Sequence, residues 1–283
     1  MKLVSFRHQG RQGFGALAGD GVVDLTRRLG DRHDGLKQAL RPDDLANLRV
    51  AADGLAADLP LDAVELLPPV PDPGKILCIG VNYEMHREET GRAEVGHPTV
   101  FTRFADTLVG QTDAIVVPKA SRQLDFEGEL AVVIGLGGRG IARDRAFDHV
   151  AGYSCFNDAT VRDWQRHTSQ FTPGKNFPAT GGFGPWLVTA DEISDIKACA
   201  IKTTLNGEVM QQAKIDQLIF PIPELIHYIS TFTELRPGDV ICTGTPGGVG
   251  SKRNPPRFLK PGDRFTVEIE GVGVLVNRVE AEN

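Results

Sequence analysis

The run Leu124-Asp125-Phe126-Glu127-Gly128-Glu129-Leu130-Ala131-Val132-Val133-Ile134 constrains this chain more than any other. Its second half is continuously apolar and β-branched, the pattern of a strand covered on both faces. Side chains of a strand alternate, so Glu127 and Glu129 share one side, a single step apart. Two like charges buried that close are costly unless a cation neutralises them. A divalent ion does so economically, because hard ions such as Mg²⁺ or Mn²⁺ prefer carboxylate oxygens and keep positions open for a substrate. Alone, a Glu-x-Glu string is better explained by an edge strand whose glutamates face water. The rest of the chain has to decide.

With 283 residues, 41% hydrophobic and 24% charged, the chain reads as a folded protein of one large domain or a domain with an appendage. A net charge of −6 gives no electrostatic reason to expect nucleic acid or an anionic membrane as partner. No apolar run approaches the roughly 20 residues that span a bilayer. Met1–His8 lacks the apolar stretch of a signal peptide, so the expected location is cytoplasmic. Cys78, Cys155, Cys199 and Cys242 lie far apart in apolar, strand-like runs, which predicts buried reduced thiols rather than zinc ligands or disulfides.

Residues 1–70 read as a small N-terminal domain, with short strands at Leu3–Phe6 and Phe14–Leu17, a hairpin turn at Gly19-Asp20-Gly21, and helical segments at Leu36–Leu40 and Leu45–Leu48. The string Pro68-Pro69-Val70-Pro71-Asp72-Pro73-Gly74 breaks both kinds of element and marks the boundary to a unit at 71–283. There the expected strands are Lys75–Val81, Ala114–Val117, Gly128–Gly135, Trp186–Val188, Lys202–Leu205, Asp239–Cys242 and Phe265–Ile269. One clear helix starts at Pro221-Ile222-Pro223-Glu224, with Leu225, Ile226, Ile229 and Phe232 as its apolar stripe. Strands do not alternate regularly with helices, so the fold class is mainly β with some α (α+β), not a doubly wound sheet or a TIM barrel.

Gly135-Leu136-Gly137-Gly138-Arg139-Gly140 matches GxGxxG, but no helix opens directly on its last glycine, and a glycine-rich turn explains it better than a dinucleotide site. No GxSxG elbow is present, which argues against a serine hydrolase. Asp158 ends the strand-like run Gly152–Phe156; it either caps a helix over Ala159–Gln165 or adds a third carboxylate to Glu127 and Glu129. His86 and Glu89 are spaced i, i+3, so on one helical turn they either face water or pair, the carboxylate making the imidazole a better base. Lys175 sits in a Gly/Pro-rich string expected to be a loop, either exposed or aimed at developing negative charge. Thr243–Gly250 ends another apolar strand in a turn whose N–H groups and hydroxyls suit a carboxylate, or simply hold a loop.

In order along residues 75 to 280, these strings resemble the fumarylacetoacetate hydrolase family: Gly80-Val81-Asn82-Tyr83 with His86 and Glu89, Phe126–Gly135, Gly152–Asp163, Gly184–Thr189, Leu205–Glu208, Ile219–Ile226 and Thr243–Gly250. The resemblance implies a mixed β-sandwich roll behind a small N-terminal domain, a homodimer, and a Mg²⁺ or Mn²⁺ site. It assigns Glu127, Glu129 and Asp158 as metal ligands and His86 with Glu89 as a water-activating dyad on a mobile lid. Lys175 and Gln165 then face the reacting carbonyl, and Tyr83, Thr243, Gly244 and Thr245 contact the substrate. The implied substrate is a small 2-oxo acid. The leading expectation is hydrolysis of the C–C bond of an acylpyruvate or related 2,4-diketo acid to pyruvate and a carboxylic acid. The alternative is an oxaloacetate-type decarboxylase or an isomerase of hydroxydienoates and 2-oxo acids, since one electron sink serves all three. Departures such as Val81, Arg103-Phe104 and Phe177–Gly182 alter the pocket wall and leave the carboxylates intact.

Overall fold

A computed structural model describes residues 1–29 and 33–283. Its main sheet has 12 strands. Along it run Leu59–Pro60, Gly21–Asp24, Arg11–Ala18, Lys2–His8, Gly181–Thr189, Val150–Asp158, Gly128–Ile134, Val240–Cys242, Ile76–Gly80 and Thr99–Arg103, with Glu65–Leu66 and Leu108–Val109 pairing at the side. The first residues thus extend the same sheet, Lys2 and Leu3 pairing with Val188 and Leu187. A second sheet of 5 strands orders Glu208–Lys214, Ala200–Leu205, Arg264–Ile269, Gly273–Ala281 and Ile115–Val117.

The Gly128–Ile134 strand is buried along its whole length because each face meets a different layer. Leu130, Val132 and Ile134 join the core shared with Ile201, Val267 and Ile269 of the second sheet. Ala131 and Val133 instead meet Leu36, Leu40 and Leu48. Continuous rather than alternating hydrophobicity is the consequence of this two-sided cover. Phe126, one residue before Glu127, is driven into the first core and stacks on Phe265 with ring centroids 5.0 Å apart.

Each expected strand is present, with ends moved by at most five residues. The Ile222–Phe232 helix buries Ile222, Leu225, Ile226 and Ile229, but Phe232 is exposed rather than part of the stripe. Helix does not begin at Ala159, because Thr160–Val161 first pairs with Leu124–Asp125; it covers only Arg162–Gln165. Lys175 closes a short helix, Thr172–Lys175, instead of lying in a loop. Proline at its start preorganises that turn, and the glycine it contains packs against Gln165 backbone, where a Cβ would come within 2.5 Å. Three thiols are buried as expected; Cys199 is only half-buried. The GxGxxG string is followed by a 3₁₀ helix at Arg143–His149, not by a nucleotide-binding α-helix. No described helix is long and apolar enough to cross a membrane.

Candidate active site

Three strand ends bring the acidic residues together. Gly128–Ile134 is flanked by Val150–Asp158 on one side and Val240–Cys242 on the other. Glu129 pairs with Phe156 in register, and Asp158 donates its N–H to the Glu127 carbonyl at 2.9 Å. Glu127, Glu129 and Asp158 are all buried, and each offers an oxygen within 4.8 Å of the others. Gly244, held at φ +100°, donates its N–H to Glu129 Oε2 at 2.8 Å. A side chain there would collide with Asn82 Cβ at 2.7 Å, so glycine is required at this approach.

Cations surround two of the three carboxylates. Lys175 Nζ donates to Glu127 Oε2 at 2.6 Å and to Asp158 Oδ2 at 2.5 Å. Arg162 pairs with Glu127 Oε1 at 2.7 Å, and Arg103 Nε donates to Asp158 Oδ1 at 2.8 Å. Burial alone would push Glu127 up, yet Lys175 and then Arg162 pull its carboxyl down to about 2. Burial also opposes charge on Lys175, but Asp158 and Glu127 prevail and hold its ammonium above the usual lysine range. Glu129 differs. Among the described residues no Lys, Arg or His pairs with it, and burial, then Asp158 and Glu127, push its carboxyl well above the ordinary value. A buried cluster of oxygen donors left with one uncompensated carboxylate fits a hard divalent ion.

The dyad is built on the helix Glu84–Thr90, which follows Ile76–Gly80 and ends on Gly91 at φ +66°. His86 Nδ1 donates to Glu89 Oε1 at 2.6 Å, which leaves Nε2 as the acceptor nitrogen of the neutral ring. Glu89 Oε2 in turn accepts from Gly248 N–H at 2.9 Å, tying the helix to the Thr243–Gly250 turn. Asn82 fixes the approach to the helix, donating to the Phe220 and Thr243 carbonyls and accepting from Phe220 N–H.

One cavity of about 350 Å³ is lined by His86, Glu127, Glu129, Lys175, Gln165 and Thr245. Gln165 accepts from Arg162 Nη1 at 3.1 Å. Tyr83, Thr243 and Gly244 are buried behind this wall rather than in it: Thr243 Oγ1 donates to the Leu130 carbonyl, and the Gly244 N–H is committed to Glu129. Sequence reasoning placed Arg103 in the pocket wall and gave Arg162 no task, whereas both are buried arginines paired with the carboxylates. Arg162 carried a readable signal, standing four residues after Asp158; Arg103 lies far away in sequence, and nothing there pointed to its pairing with Asp158.

Residues 75–280 match the family described as "Fumarylacetoacetate (FAA) hydrolase C-terminal". The chain is 39% identical over 287 residues to the mitochondrial oxaloacetate tautomerase Fahd2a of Rattus norvegicus, covering 99% of this chain and 91% of that one. Among solved structures it is similar to a putative HpcE protein from Mycobacterium smegmatis, with TM-score 0.90, 36% identity and 100% of both chains covered. It is also similar to maleylpyruvate hydrolase from Sphingobium sp. SYK-6 in complex with manganese (II) ion and pyruvate, with TM-score 0.84, 30% identity and 100% of both chains covered. Ordered motifs, two-sheet architecture and a buried carboxylate triad beside a His–Glu pair therefore agree, and the chain belongs to the fumarylacetoacetate hydrolase family.

Proposed function

We propose that this protein is a divalent-metal-dependent enzyme that interconverts the keto and enol forms of oxaloacetate or a closely related 2-oxo acid. The observation that carries the reading is a base and a carboxylate-rich cation site in one cavity: His86, held by Glu89, faces the same space as Glu127 and Glu129. Relatives named as oxaloacetate tautomerases occur at 39–43% identity.

Tautomerisation moves one proton from C3 of the keto acid to the enol oxygen. His86 Nε2 takes the C3 proton, Glu89 stabilises the imidazolium that results, and the same proton is returned to the C2 oxygen, which leaves the enol and a neutral His86. Lys175, kept cationic by Glu127 and Asp158, lies near the developing negative charge, and Gln165 offers its amide N–H₂ to the same region. Mg²⁺ or Mn²⁺ held by Glu127, Glu129 and Asp158 would supply Lewis-acid stabilisation of enolate charge. Thr245 stands at the wall nearest the Gly128 carbonyl, to which its hydroxyl donates, so it shapes the cavity.

A second reading is C–C hydrolysis of a 2,4-diketo acid. It is favoured by the dyad itself, since a His–Glu pair can deprotonate water as well as carbon, and by similarity to a maleylpyruvate hydrolase. The family resemblance also carries the homodimer, which sedimentation velocity would test. To separate the activities, enol decay of oxaloacetate is followed by ultraviolet absorbance with Mn²⁺, alongside pyruvate and CO₂ release and cleavage of acetylpyruvate and fumarylpyruvate. The tautomerase reading expects enol decay accelerated by the loaded protein, abolished by chelator, and reduced about a hundredfold or more in His86→Ala. Pyruvate plus a free acid from a diketo substrate, without accelerated enol decay, would replace it with the hydrolase reading.

A further inference from the structure

Three carboxylates, not two, are spaced by two residues in the acidic run: Asp125, Glu127 and Glu129. Asp125 is fully buried, yet it is absent from the group that could hold an ion. Its oxygens are already engaged. Oδ1 accepts from Phe126 N–H at 2.9 Å and Gly250 N–H at 2.8 Å. Oδ2 accepts from Ser251 N–H at 2.9 Å and Arg162 Nε at 2.8 Å. A carboxylate has about four lone-pair sites, so four donors leave none for a metal.

These partners point in two directions. Arg162 continues to Glu127 Oε1 and to Gln165, both of which line the cavity. Gly250 and Ser251 belong to the segment that brings Val249, Ser251 and Lys252 to the lining of the same cavity. Gly250 is needed for the approach, because a Cβ there would lie 2.6 Å from Asp125 Oδ1 and 1.8 Å from the Arg257 carbonyl. The Asp125 contacts are charge-assisted and dry, the kind that fix geometry rather than merely add stability.

We propose that Asp125 is a positioning residue: through Arg162 and the Gly250 and Ser251 amides it locks the 249–252 wall of the substrate cavity to the metal carboxylates. The inference rests on reading that cavity as the substrate site. Its consequence is that Asp125 sets substrate affinity through the wall and leaves proton transfer at His86 untouched. Asp125→Asn keeps the shape but puts an N–H₂ against one pair of donors.

The experiment has two arms. In wild-type protein, hydrogen exchange should show the Gly250 and Ser251 amides as slow as the Gly128–Ile134 strand, and Asp125→Asn should speed them about tenfold or more, as expected for a lost charge-assisted hydrogen bond. With saturating Mn²⁺ and oxaloacetate, Asp125→Asn should raise KM about tenfold with kcat within about threefold. Exchange at open-loop rates in wild type would overturn the proposal whether or not the variant folds. A fall in kcat at unchanged KM, or a lower melting temperature with KM and kcat both unchanged, would overturn it too. If the wild type fails to act on oxaloacetate, the proposed activity falls while the exchange arm still decides the role of Asp125.

Discussion

Asn82 is the side chain whose removal has the best-defined cost. It is fully buried and makes three hydrogen bonds: Nδ2 donates to the Phe220 carbonyl at 3.0 Å and to the Thr243 carbonyl at 2.8 Å, and Oδ1 accepts from Phe220 N–H at 2.7 Å. These join the turn after Ile76–Gly80, the segment before Ile222–Phe232 and the start of the Thr243–Gly250 turn. Asn82→Ala leaves three groups without that partner: the Thr243 carbonyl, whose contact is buried, and the Phe220 N–H and carbonyl, whose contacts are half-buried. At about 1 kcal/mol for each of the three, the low end of the range because two are half-buried, the loss is about 3 kcal/mol in all. At about 2.1 cal/mol/K per residue, a chain of 283 residues has an unfolding entropy near 0.6 kcal/mol/K, so the melting temperature should fall by about 5 °C. Differential scanning calorimetry measures the shift, and turnover should fall as well, because the same three segments seat the His86 helix. A fall under 2 °C with full activity would refute the clamp and show that solvent satisfies those groups.

Replacing Glu127 and Glu129 together by glutamine should abolish Mn²⁺ binding by calorimetric titration; retained affinity would sink the carboxylate site. Val81, a β-branched residue at φ +57° in the cavity wall, stores backbone strain of about 1–3 kcal/mol. Val81→Gly should relieve part of it and raise the denaturation midpoint, whereas a lower midpoint would show that valine packing outweighs strain. Asp58 accepts from Asp24 N–H at 2.8 Å and pairs with Arg28 at 2.7 Å, contacts that hold its carboxyl below the usual aspartate value against partial desolvation. A depressed carboxyl stabilises the fold above its unfolded pKa near 3.9 and loses that contribution as pH falls through the folded value. Asp58→Ala should therefore lower the melting temperature at pH 7, with a gap that narrows below about pH 4; a pH-independent gap would contradict the assignment.

How far the sequence could be read depended on whether the signal was local. Gly128–Ile134 was legible because a strand buried on both faces writes its state into consecutive apolar residues. His86 and Glu89 were legible because a helical turn fixes their relation within four residues. Gly273–Ala281 was not found, since a polar residue, Asn277, takes a core position to bond the Gly110 and Asp113 carbonyls, which interrupts the pattern. Glu208–Lys214 was missed for a related reason: most of it is exposed, and it is held in the sheet by backbone pairing with Ala200–Leu205. Lys175 reads as loop in the sequence because Gly and Pro lower helix propensity, while packing of Gly174 on Gln165 outweighs that preference over one turn.

By itself, then, the sequence determined which groups are available: closely spaced carboxylates at the head of an apolar run, an imidazole with a carboxylate one turn away, and a family's order of motifs. Tertiary structure alone decided what each group does. Asp125, Glu127 and Glu129 carry the same spacing and chemistry, yet Phe126, Gly250, Ser251 and Arg162 consume every acceptor site of the first. Arg162 and Lys175 neutralise the second, and among the described residues the third meets only a backbone N–H. The reason is physical: a carboxylate's role follows from the donors within about 3 Å of it, and here those donors come from segments that only the folded sheets bring together.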